Sequence, residues 1–221
     1  GDWNMAANWT EGVPTTANET YITRYGNRTI SVGAAPATSV GALTMENLAG
    51  TTLLDVNAKL SLDGGAVALG KGAQVRVYED GEWFQNFKGA AASADSETLA
   101  IRDGATFSVC GGRVNLTNTM GQVNIGGTDG TPGTFEVTNG TVIVKYSSGN
   151  GLCLNENGLL KMTGGKLVYD AGANFVQYGG VIDLSDQTVA HRLVIPADDL
   201  LTRRGAAGLV IKNAEARHIH A

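Results

Sequence analysis

Proline and cysteine are both scarce in this chain, at 4 and 2 of 221 residues, and charged residues reach only 17%. The low charge, set beside 43% apolar residues, excludes a disordered chain. The formal net charge is −5 and no basic run occurs, which argues against nucleic acid as a partner. No apolar run is long enough to span a membrane as a helix. Apolar residues almost never recur at three and four, so helix is expected to be a minor element.

Glycine is what the chain has in excess. Its 31 residues are roughly twice the usual share. They punctuate short runs in which apolar and polar residues alternate, the period-2 signature of strands with one buried face. Glycine, Asn and Asp close these runs because they tolerate the positive φ of sharp bends.

The runs repeat. "TFSVCGGRVNLTNTMGQVNIGG" at 106–127 and "TFEVTNGTVIVKYSSGNGLCLN" at 134–155 keep the same apolar positions and change the polar ones. Phe107 and Val109 align with Phe135 and Val137, Gly112 with Gly140, Val114 and Leu116 with Val142 and Val144, and Val123 and Ile125 with Leu152 and Leu154. A third copy runs through Leu160, Met162, Leu167 and Tyr169 to Phe175. An upstream copy holds Leu54, Val56, Leu60, Leu62, Val67 and Leu69. The next, from Val75 and Val77 to Leu99 and Ile101, is stretched by an insertion around Gly81 to Ser96. A loose period of roughly 20–30 residues marks stacked solenoid units.

Three short strands with corners between them make one triangular coil, and coils stack at ~4.8 Å. The expected fold is all-β: a right-handed parallel β-helix of about six or seven coils, with a Trp-containing N-terminal cap and an atypical C-terminal segment. One inward column is predicted to hold Leu54, Val75, Phe107, Phe135 and Leu160, and another Val67, Leu99, Val123, Leu152 and Phe175. The expected organisation is a cap and first strand over 1–28, repeats over 29–180, and a C-terminal cap or assembly segment over 181–221. Trp3 and Trp9 are read as the hydrophobic lid of the first coil, with an aromatic sugar platform as the alternative. In the tail, 181–184, 191–195 and 208–212 are expected as strands and 197–204 as a short helical turn. Cys110 and Cys153 fall on outward positions of different sides, too far apart for a disulfide.

The opening pattern of Trp3, Asn8-Trp9, Gly12 and Pro14, followed by "VGALTM" at 40–45, and the units "LSLDGG", "FSVCGG" and "LKMTGGKLVY" carry a resemblance. They resemble repeat-rich bacterial surface proteins of the autotransporter-passenger and PEP-CTERM-associated type. That resemblance implies a right-handed parallel β-helix that is exported to the cell surface or extracellular space and serves as an adhesin, matrix component or scaffold.

Signs of catalysis are few. Acid–base work on a polysaccharide needs paired carboxylates on one face, whereas Asp103, Glu136 and Asp170 are scattered, and Asp183, Asp186, Asp198 and Asp199 sit in or beside the tail. His218 and His220 share a strand face but form an incomplete metal set. A calcium-type turn occurs once, in "IGGTDGTPG", and no nucleophile elbow or phosphate loop is present. The chain is therefore expected to be no enzyme and to need no cofactor or metal. Five Asn-x-Ser/Thr sequons occur, at Asn8, Asn18, Asn27, Asn115 and Asn139. Expected partners are copies of itself, joined head to tail into fibres, or a surface polysaccharide. Trp83, Phe84, His191 and Arg192 are the candidate ligand or assembly contacts. The alternative reading is a carbohydrate-binding module or polysaccharide-degrading enzyme on the same scaffold, with its groove near Trp83 and Phe84.

Overall fold

The computed structural model describes residues 1–36, 39–86, 97–118, 121–146, 151–170 and 175–184, together with short strands at 193–194, 201–203, 211–212 and 219–220. Apart from one 3-10 turn at Ala6–Asn8, every regular element described is a strand. The first turn carries β1 (Thr20–Tyr25) and β2 (Arg28–Val32). Then come β3 (Leu43–Ala49), β4 (Thr52–Val56) and β5 (Lys59–Asp63), followed by β6 (Val67–Leu69), β7 (Ala73–Val77) and β8 (Glu82–Asn86). The next two turns are β9 (Glu97–Ile101) with β10 (Ala105–Asn118), and β11 (Gln122–Ile125) with β12 (Gly133–Tyr146). After them lie β13 (Gly151–Leu154), β14 (Gly158–Met162) and β15 (Lys166–Asp170), then β16 (Phe175–Gln177) and β17 (Val181–Asp183). Short strands β18 (Leu193–Val194), β19 (Leu201–Arg203), β20 (Ile211–Lys212) and β21 (Ile219–His220) end the series.

All the strand pairings are parallel, and they join equivalent strands of successive turns. One face is the eight-stranded sheet β1-β3-β6-β9-β11-β13-β16-β19. The other two are the arms of a thirteen-stranded sheet, because the 14-residue strands β10 and β12 run on around a corner. Among the described residues, turns with strands on all three faces begin at Leu43, Val67, Glu97, Gln122 and Gly151, five in all, with a partial turn before and further strands after.

The inward columns follow the alternation residue by residue. Leu54, Val75, Phe107, Phe135 and Leu160 are register partners in that order, as are Val67, Leu99, Val123, Leu152 and Phe175. All ten side chains are buried. Each contributes about 1.5–3 kcal/mol of burial, and stacking at strand spacing is what fixes the apolar letters in every copy.

The corners are made by backbone approach and by buried amides. Where β12 bends, Gly140 has φ +89° and an added Cβ would lie 2.2 Å from the Gly112 carbonyl oxygen. Gly112 itself lies under the Tyr78 carbonyl, with 2.1 Å to an added Cβ. No other residue type fits that stack. At the corner that follows the eight-stranded face, Asn47 donates its Nδ2 hydrogen to the Gly26 carbonyl at 2.7 Å, and Asn155 does the same to Gly126 at 2.9 Å.

Two expectations need correction. The stretch from Gly81 to Ser96 is not wholly an insertion: Glu82–Asn86 is the third strand of its turn, paired with β5 and β10. It was concealed because its two inward residues are Trp83 and the polar Gln85, both buried. The chain satisfies Gln85 with hydrogen bonds from the Trp83 indole and to the Thr98 carbonyl. The helical turn expected over 197–204 is also contradicted, since Leu201–Arg203 is a strand in register with Phe175–Gln177. Pairing to the preceding turn outweighs local helix preference there.

Candidate functional site

At the N-terminal end, Asp2 bridges Ser31 as a short parallel pair. Trp3 donates its backbone N–H to Ser31 at 2.9 Å. This folds Trp3 into the first turn, where it is buried. Trp9 meets it edge-on at 4.8 Å and donates its indole N–H to the Trp3 carbonyl at 2.7 Å. The lid is therefore built by the pair, but Trp9 keeps part of its surface and, with Thr10 and Tyr21, lines both of two clefts of about 340 and 300 Å³.

On the second face, the outward column reads Asp55, Arg76, Ser108, Glu136, Lys161 and Asp183. Charges of opposite sign meet within it: Lys161 reaches Glu136 at 2.9 Å, and that hydrogen bond and charge, with Asp183 beyond, hold the Lys161 ammonium above its ordinary range. On the third face Lys59 pairs with Glu82 at 3.4 Å. Asn115 donates to Glu82 at 2.7 Å and accepts from Arg113 at 3.1 Å. These residues satisfy one another across turns and fix the stacking register.

The first face differs. Between β9, β11, β13 and the end of β16 lies a cleft of about 660 Å³ lined by Glu97, Arg102, Gln122, Thr128, Asn155, Glu156 and Tyr178. Its wall is a hydrogen-bonded chain. Glu97 accepts from Asn124 Nδ2 at 2.7 Å on one oxygen and from Arg102 at 3.4 Å on the other. Asn155 donates to Asn124 at 3.4 Å. Gln122, Asn124 and Asn155 are buried. At the mouth, Glu156 and Thr128 are exposed, and Tyr178 leaves 37% of its surface open. Thr131 donates its backbone N–H and its hydroxyl to Asp129, and these bonds, with Arg102 nearby, hold the Asp129 carboxyl below its usual range.

The candidate contacts named from sequence do not converge on this cleft. Trp83 is in the core, edge-on to Phe107 at 5.1 Å, where no ligand reaches it. Phe84 faces outward and is half-buried, with the Lys59 ammonium 4.9 Å above its ring. His191, Arg192 and His218 lie outside the described residues. Cys110 is free, and Cys153, outward by register, is buried and donates to Gln122 Oε1 at 3.2 Å. Asn115 is also buried, which closes its sequon in the folded chain. Among the described residues, no three metal-ligating side chains gather, and no helix is long and apolar enough to cross a membrane.

Compared with known protein families, with characterised proteins and with solved structures, the chain finds no match in any of the three. The fold and this geometry therefore define the class by themselves: an all-β parallel solenoid with a polar cleft on one side.

Proposed function

We propose that this chain is an exported structural or adhesive protein of the cell surface or extracellular matrix, without enzymatic activity, whose working part is the rod itself. The observation that carries the reading is the unbroken run of inward columns through five turns, beneath outer letters that change from turn to turn. Such a stack resists unfolding along its axis and leaves its sides free to present groups. The surface-protein resemblance of the repeat motifs supports export, and the bacterial autotransporter-passenger or PEP-CTERM-associated family is its proposed relation.

End-to-end association is part of the proposal. Among the described residues, β1 pairs only with β3, so one edge of a long sheet is unpaired, with Tyr21 and Tyr25 exposed along it. An open edge of that kind accepts a strand from a second copy. Immunogold electron microscopy of intact cells producing the native chain tests the reading. Label outside the cell envelope is the expected result, and label confined to the cytoplasm overturns it.

A further inference from the structure

We infer that the cleft between Glu97, Asn155 and Tyr178 is a binding site for a neutral polysaccharide. This rests on the adhesive half of the proposed function and names what that side of the rod holds. Three observations point to it.

The first is that the site is built. Burying Gln122, Asn124 and Asn155 costs free energy unless their amides are satisfied. The chain of bonds from Arg102 through Glu97 and Asn124 to Asn155, with Cys153 donating to Gln122 and Asn155 to the Gly126 carbonyl, meets that cost and fixes the wall before any ligand arrives. Above that fixed wall the Thr128 and Tyr178 hydroxyls and the Glu156 carboxylate are exposed, and such donors and acceptors side by side suit the hydroxyl groups of a ligand, which both donate and accept.

The second is charge. Two carboxylates, Glu97 and Glu156, face one guanidinium, Arg102, which already leans on Glu97. The lining is net negative on a chain of net charge −5, so a uronate or sulfated glycan is repelled. A neutral one is not.

The third is shape. At about 660 Å³ the cleft has the size of a small-molecule site. Its lining residues come from successive parallel turns, so the cleft runs along the axis of the rod. Tyr178 offers a partly exposed ring beside polar groups, the amphipathic surface that the face of a sugar ring covers. Because both Glu97 oxygens are engaged, that carboxylate braces the wall, and the cleft is expected to hold a chain without cutting it.

The test is affinity electrophoresis of the purified native chain in gels containing dextran, β-glucan, mannan or galactan, with polygalacturonate as the acidic counterpart. Retardation by at least one neutral polymer is expected, with none by polygalacturonate. Tyr178→Ala and Glu156→Gln, both at exposed positions, should each weaken retardation by about tenfold with unchanged circular dichroism. Leu48→Ala, at an exposed position outside the cleft, should leave it unchanged. No neutral polymer retarding the chain, retardation by polygalacturonate alone, loss by Leu48→Ala in place of Tyr178→Ala, or release of reducing ends would each overturn the inference. Cell localisation is read separately, so a cytoplasmic chain that still binds would sink the surface role and leave the site standing.

Discussion

Phe107 and Phe135 occupy the same register position on successive turns, and their rings stack at 5.2 Å between centroids with only 4° between planes. Trp83 closes on Phe107 from the third face, edge-on. The aromatic cluster sits midway along the inward columns, where side chains of the second and third faces meet.

Truncating that stack should be costly. Phe107→Ala removes a fully buried ring and is expected to lower stability by about 3–5 kcal/mol, measured by urea denaturation. A sharper contrast comes one strand segment on. Val142 is buried and Thr141 beside it is half-buried on the outer side. Val142→Asp should prevent folding by burying an unpaired charge, whereas Thr141→Asp should fold normally by circular dichroism. Equal effects would contradict the inward and outward assignment.

Trp83→Ala should behave as a core mutation, costing about 3–5 kcal/mol in the same denaturation experiment. Loss of glycan retardation by a Trp83→Ala chain that retained wild-type stability would place the ligand site near Trp83 and against the first-face cleft.

The corners make a backbone prediction. In Gly112→Ala the new Cβ would lie 2.1 Å from the Tyr78 carbonyl oxygen and 2.5 Å from that of Gly81. Neither oxygen is at the end of a flexible side chain. A loss of more than about 1 kcal/mol is expected. Gly33→Ala adds a methyl where nothing lies within 4 Å, and should be neutral or slightly stabilising by thermal melting.

The Lys161–Glu136 pair gives a pH dependence. Glu136 raises the folded-state pKa of Lys161 above its ordinary 10.5. The stabilisation is therefore fully present below about pH 10.5 and is lost as pH rises through the folded value. Lys161→Met should lower stability by no more than about 1 kcal/mol near neutrality. The gap between the two melting temperatures should close above the Lys161 pKa and narrow in high salt. A gap that persisted unchanged into strong alkali would rule out the charge pair as its source.

Much of this architecture is legible in the sequence because stacking constrains inward residues alone. Both predicted columns appear with every member in place, Leu54 through Leu160 and Val67 through Phe175. Strand β8 was hidden because Gln85 puts an amide where the alternation demands an apolar residue. The cleft was hidden for a different reason. Arg102, Asn155 and Tyr178 are far apart in the chain, and only parallel register brings them onto one wall. A signal did exist: Arg102, Gly126, Asn155 and Tyr178 each follow directly on an aligned strand, one after Ile101, Ile125, Leu154 and Gln177. Aligning copies by their apolar letters and then reading across the polar column would have exposed it. Trp83 and Trp3 misdirect a search for exposed aromatics, since both are core residues and the open rings are tyrosines.

The most direct test of the structural role is cryo-electron microscopy of the purified native chain at near-neutral pH. Rods joined end to end into ordered fibres, with the ~4.8 Å axial spacing of stacked strands, are the expected result. Dispersed single particles at all concentrations, with no end-to-end contact, would contradict the role of the rod as a building element.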